Sequence, residues 1–149
     1  MPDTVGEEAI TFQFQHPTFR LKSRQAIRQW LIGCIQDAGS SIAGLHFSFC
    51  TDDFIQEANR QYLDHDYQTD ILTFPYPSAN GVSGDILISI DRIRDNAKHH
   101  RTKVLDETHR VMAHGALHLL GHEDSTSEQE SAMRLLEDQW LLKRTFLGH

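Results

Sequence analysis

Residues 111–120, VMAHGALHLL, constrain the fold more than any other stretch. Read as a helix, the segment is apolar on nearly every side except at His114 and His118, and such a helix is buried. The chain must therefore build a core around it and find polar partners for two imidazoles, since an unpaired buried polar group costs ~1–3 kcal/mol. His114 and His118 stand four apart. That spacing puts both rings on one helix face, with Cβ atoms ~5–6 Å apart, and suits two ligands of one metal. Spacing alone carries little weight: the chain has 10 histidines in 149 residues, and His118 with His122 repeats the interval. The competing reading is a pair of core histidines satisfied by backbone or side chains. A shared metal would satisfy both rings at once.

Gly121 stops this helix, as glycine does just past a C-terminus. It lets the chain turn sharply, so that Asp124 folds back over the same face. Two imidazole nitrogens and a carboxylate oxygen, with one position left for water, make a catalytic rather than a structural donor set. His122 and Glu123 are rival ligands that would need a tighter turn. In the HExxH motif of zincins the residue after the first histidine is the general base. Here it is Gly115, so the base lies elsewhere or is the activated water itself.

Around this segment the chain reads as strands early and helices late. Ile10, Phe12 and Phe14 alternate in residues 9–15, and Leu45, Phe47 and Phe49 alternate in 42–50. Two more strands are expected at 70–76 and 82–90, joined by a turn over 78–81 in which Asn80-Gly81 is the hairpin signal. Pro75 places the first of these at an edge or bulge. Helices are expected at 19–36, from Thr51 onward, and at 91–100, 106–120 and 128–147. Ser127 and Glu130 stand at capping-box spacing before the last. The expected class is α+β: one domain over residues 1–149, with a small mixed sheet of about four strands and about five helices.

Cys34 and Cys50 read as buried free thiols, which implies a reducing, cytoplasmic setting. The N-terminus, MPDTVGEEAI, carries three acids and is not a signal peptide. No stretch approaches the ~20 apolar residues of a membrane span. The net charge is −7, yet two basic islands interrupt it: Arg20, Lys22, Arg24 and Arg28, and then Arg92, Arg94, Lys98, Arg101 and Lys103. They are either a local electropositive surface for RNA or two solvated helix faces.

HGALHLLG with a ligand three residues after Gly121 resembles the H-G-x-L-H-L-x-G-x-x-H signature of the YbeY family. Asn59, Tyr62, Asp66, Thr69, Asp70, Thr73, Phe74 and Pro75 are similar to its N-x-x-Y-R-x-x-D-x-x-T-D-V-L-S-F-P segment. Gly84, Asp85, Ile86, Ile88 and Ser89 resemble its G-D-I-x-I-S strand. The resemblance implies a single-strand-specific endoribonuclease in ribosomal RNA maturation (16S rRNA processing) and ribosome quality control. Its partners would be single-stranded and ribosomal RNA and the small ribosomal subunit. It also implies a zincin-like site in a cleft: His114, His118 and Asp124 hold one zinc per chain, or another divalent transition metal. Two positions depart from the pattern. Asp124 stands where the family has histidine, which moves metal preference towards harder ions. Leu63 stands where the family has an arginine expected to steady phosphate; Arg60 and Arg110 are candidates for that role.

Asp85, Asp70 and Glu123 are the candidate acids that orient water, with turn or cap roles as alternatives for the first two. Glu107, on roughly the same helix face as His114, is either a partner of the site or compensation for the helix dipole. His99 and His100 read as surface residues. Two other functions fit the motif: a metalloprotease-like hydrolase, against which Gly115 argues, and a ribosome-assembly factor with a structural or vestigial metal.

Overall fold

Residues 9–63 and 69–147 are described by a computed structural model of the chain. Alternation of apolar side chains sets the sheet. β1 (Ile10–Phe14), β2 (Ile42–Cys50) and β4 (Val82–Ser89) run parallel, and β3 (Ile71–Pro75) pairs antiparallel with β4, in the order β1-β2-β4-β3. β3 is therefore an edge strand, where Pro75 removes no ladder hydrogen bond that a central strand would need. The β3–β4 hairpin turns through Asn80 and Gly81 as the dipeptide predicts.

Because successive strand residues face opposite ways, β4 serves two cores. Ile86 and Ile88 join the main core with Phe47, Leu31 and Met112, while Leu87 packs with Cys50, Ile55, Ala58 and Leu72 in a smaller one. The smaller cluster lies under α2 (Asp52–Leu63). The main core takes α1 (Arg24–Asp37), α3 (Ile90–His100), α4 (Val104–Leu119) and α5 (Ser127–Leu142). Trp30 ties α1 to α5, its indole N–H donating to the Trp140 carbonyl at 2.7 Å. The result is the expected α+β class with four strands and five helices among the described residues.

Element ends differ from expectation in two informative places. α1 begins at Arg24, not at residue 19. Ser23 adopts a left-handed backbone (φ 58°), so residues 19–23 enter as a loop; Phe19 still packs on Phe14 and Phe49. The capping box of α5 is one residue earlier than expected. The Thr126 hydroxyl accepts from the Gln129 N–H at 3.1 Å and the Gln129 side chain accepts from the Thr126 N–H at 3.1 Å. Ser125, Thr126 and Ser127 offer three overlapping registers of the motif, and the structure uses the middle one. Thr51 caps α2 as expected, accepting from the Phe54 N–H.

Cys34 and Cys50 are both buried and free, and burial pushes both thiols up to about 11. No helix among the described residues is long and apolar enough to cross a membrane.

Candidate metal centre

From Val111 onward α4 is buried on all sides but one, and that side carries the histidines. Val111, Met112, Ala113, Ala116 and Leu117 are all buried in the main core, whereas His114 and His118 are partly open. Gly115 explains how α4 gets so close to the sheet. A Cβ there would sit 2.9 Å from methyl carbons of both Ile71 and Ile86. A glutamate at this position would be driven into the sheet, so the geometry of a zincin general base is sterically excluded from it.

The end of α4 brings in the third candidate donor. Gly121 takes a positive φ of 104°, and the His122 N–H reaches back to the Leu117 carbonyl at 3.0 Å, a Schellman closure. The chain reverses, and Asp124 lands over the imidazoles. Its Oδ2 is 3.3 Å from His114 Nε2 and its Oδ1 is 3.4 Å from His118 Nε2. One donor atom from each of the three residues lies within 4.8 Å of the others. Two Nε2 atoms and a carboxylate oxygen at such separations fit a tetrahedral divalent ion with one position left for water. Helix capping falls to Thr126, which leaves the Asp124 carboxylate free to face the histidines.

A residue not singled out in the sequence completes the arrangement. Glu137, on α5, is 5% exposed; its Oε2 is 2.5 Å from His114 Nδ1, and its Oε1 accepts from Arg110 Nη1 at 2.9 Å. A carboxylate on Nδ1 fixes the ring so that Nε2 is presented to a metal. Burial alone would lower the His114 pKa, but the Glu137 hydrogen bond and the charges of Glu137, Asp124 and Asp70 raise it. Burial would likewise raise Glu137, yet its bonds to His114 and Arg110 hold it below the ordinary carboxylate range. The sequence did carry a signal: Met133, Glu137 and Trp140 are the buried residues of α5, so an acid interrupts an apolar stripe.

The three candidate acids separate in space. Asp70 lines the same cleft of about 250 Å³ as His114 and Asp124. Burial raises its pKa, and the charges of Glu137 and Asp124 add to this while His114 opposes it. Glu123 is exposed and accepts from Gln129 Nε2 at 3.4 Å; it does not join the donor set. Asp85 is elsewhere, because one residue of strand separates opposite sheet faces. Ile86 packs under α4, so Asp85 points to the other side, where it accepts from the Tyr76 hydroxyl at 2.5 Å in a groove beside α2. Its expected role as a water-orienting acid is not met by this placement. Glu107 lines the cleft but bonds Thr102, not His114. His100, read as a surface residue, is exposed but also lines the cleft wall. Asp66 lies outside the described residues.

Residues 10–145 match the Endoribonuclease YbeY family. This chain belongs to that family. Relatives of that name include one from Cytophaga hutchinsonii, 44% identical over 143 residues that span 95% of this chain and all of the relative. Another, from Porphyromonas gingivalis, is 40% identical over 80% of this chain and 79% of its own length. A third, from Flavobacterium johnsoniae, is 36% identical over 87% of this chain and 93% of its own. The fold matches a Thermotoga maritima protein solved in solution, with TM-score 0.60 and 22% identity over 90% of this chain and 87% of that one.

Proposed function

We propose that the chain, as one domain over residues 1–149, is a metal-dependent, single-strand-specific endoribonuclease. Its substrate would be ribosomal RNA during maturation of the small subunit in the cytoplasm, and zinc its ion. The observation that carries the reading is the convergence of donor atoms from His114, His118 and Asp124 at the wall of a cleft that His114 and Asp124 line, in a chain of the Endoribonuclease YbeY family. A divalent ion held there would supply Lewis acidity and lower the pKa of water.

The chain's own residues do the rest. His114 and His118 present Nε2 atoms from one rigid helix face, and Glu137 locks the His114 ring from behind. Asp124 adds one negative charge to two neutral imidazoles. Among the three candidate acids, Asp70 is the one that lines the cleft beside His114 and Asp124. We assign it the orienting of the attacking water beside the scissile phosphate. Imidazole ligands suit zinc, while the carboxylate in place of a third imidazole leaves room for harder ions.

The test is cleavage of matched single-stranded and duplex oligoribonucleotides by the purified protein. The reading expects the single strand to be cut and the duplex spared, with loss of cutting in His118→Ala. Equal cleavage of both substrates, or none of either, would contradict it.

A further inference from the structure

An anionic strand entering this cleft meets acids. Asp70, Glu107, Asp124, Glu130 and Glu137 all line it, so a phosphodiester needs cations beyond a single metal ion to be held there. Two arginines line the same cleft, Arg110 and Arg134. Arg110 is committed to structure: its Nη1 donates to Glu137 at 2.9 Å and its Nη2 to Asp138 at 2.6 Å. Arg60, the other candidate to replace the missing arginine at position 63, pairs with Glu57 along α2 and does not line the cleft.

Arg134 differs from both. It is exposed and has no hydrogen bond or ion pair with any described residue. It stands three residues before Glu137 on α5, hence on the same helix face, and Glu137 touches His114 directly. Its guanidinium is therefore within about one helical turn of the metal-binding imidazole's partner. The cleft also takes Asn96 and His100 from α3, four apart and so on one face of that helix. Both offer hydrogen-bonding groups.

We propose that Arg134, supported by Asn96 and His100, is the phosphate-positioning group of this cleft and takes the part left open by Leu63. A guanidinium presents a planar fork that matches two phosphate oxygens, which a lysine cannot reproduce. The proposal rests on the endoribonuclease reading above.

The experiment measures anisotropy of a labelled single-stranded 2′-O-methyl oligoribonucleotide with the metal-loaded protein across a salt series, alongside KM and kcat on the unmodified RNA. Arg134→Gln should weaken binding by roughly five- to tenfold and flatten the salt slope by about 0.7, the loss of one phosphate contact on a single strand. KM should rise more than kcat falls, and metal content should be that of wild type. Arg134→Lys should recover the salt slope but only part of the affinity. Arg60→Gln should behave as wild type. An Arg134→Gln protein with wild-type affinity, slope and KM would overturn the proposal, as would a loss carried by Arg60→Gln instead. If the wild-type protein neither binds nor cuts single-stranded RNA, the functional reading falls and this proposal with it.

Discussion

Replacing Glu137 by glutamine should weaken metal binding roughly 10- to 100-fold, the usual cost of losing the outer partner of a ligating histidine. The structure says why the loss should be at the metal and not in the fold. The Glu137 carboxylate faces His114 Nδ1 at 2.5 Å and Arg110 at 2.9 Å. Glutamine keeps the length and one acceptor oxygen but no charge, so it can serve the imidazole or the guanidinium, not both. Arg110 retains Asp138 at 2.6 Å and is not left unpaired. His114 loses the group that fixes its ring and strengthens its Nε2 as a donor. A 10- to 100-fold loss corresponds to about 1.4–2.7 kcal/mol. The assay is competition between the protein and a chromophoric chelator, with urea unfolding of the metal-free proteins run in parallel to separate binding from folding. Wild-type metal affinity in a folded Glu137→Gln protein would refute the reasoning. So would a loss that merely tracks a lowered unfolding midpoint.

Asp124→Asn should bind metal more weakly and shift the pH–rate profile upward, because the ion then carries one negative ligand fewer; Asp124→His should retain the metal. An Asn variant unchanged in stoichiometry, affinity and pH profile would transfer the third-ligand role elsewhere. Gly115→Ala should cost about 1–3 kcal/mol in unfolding free energy as overpacking, since the added Cβ meets Ile71 and Ile86 at 2.9 Å; an unchanged denaturation midpoint would contradict this. His109 is fully buried, and burial first, then Arg144, lowers its pKa from 6.5 to about 4. The folded form excludes a proton that the unfolded chain accepts, so stability is full above pH 6.5 and falls as pH drops towards 4. At ~1.4 kcal/mol per pH unit the total is about 3.5 kcal/mol. Wild type should therefore lose more stability than His109→Gln between pH 7 and pH 5, and parallel losses in urea titrations would count against it.

The candidate donor set is legible in the sequence because its signals are local. Histidines four apart on an apolar helix and a glycine that reverses the chain are adjacent in sequence, and Asp124 follows three residues later. Glu137 was not singled out because its meaning depends on how α5 packs against α4. The buried stripe of α5 shows that an acid is buried, but not which imidazole it meets. The position of Asp85 is illegible in the sequence for a related reason. An acid in an apolar strand is conspicuous, yet which sheet face it occupies is fixed only by the register that puts Ile86 under Gly115. The α1 start was set by the left-handed Ser23, a backbone state that apolar periodicity cannot reveal. The place of His100 in the cleft wall is illegible in the sequence because its helix end looks like any basic surface until the cleft forms beside it.

The most direct test of the account is stepwise metal repletion of chelator-stripped protein, followed by the rate of single-stranded RNA cleavage. Cleavage should be absent without metal and should return linearly to saturate at one equivalent per chain, a return absent in His114→Ala and His118→Ala. Undiminished cleavage by the stripped protein, or saturation unaffected by loss of either histidine, would contradict it.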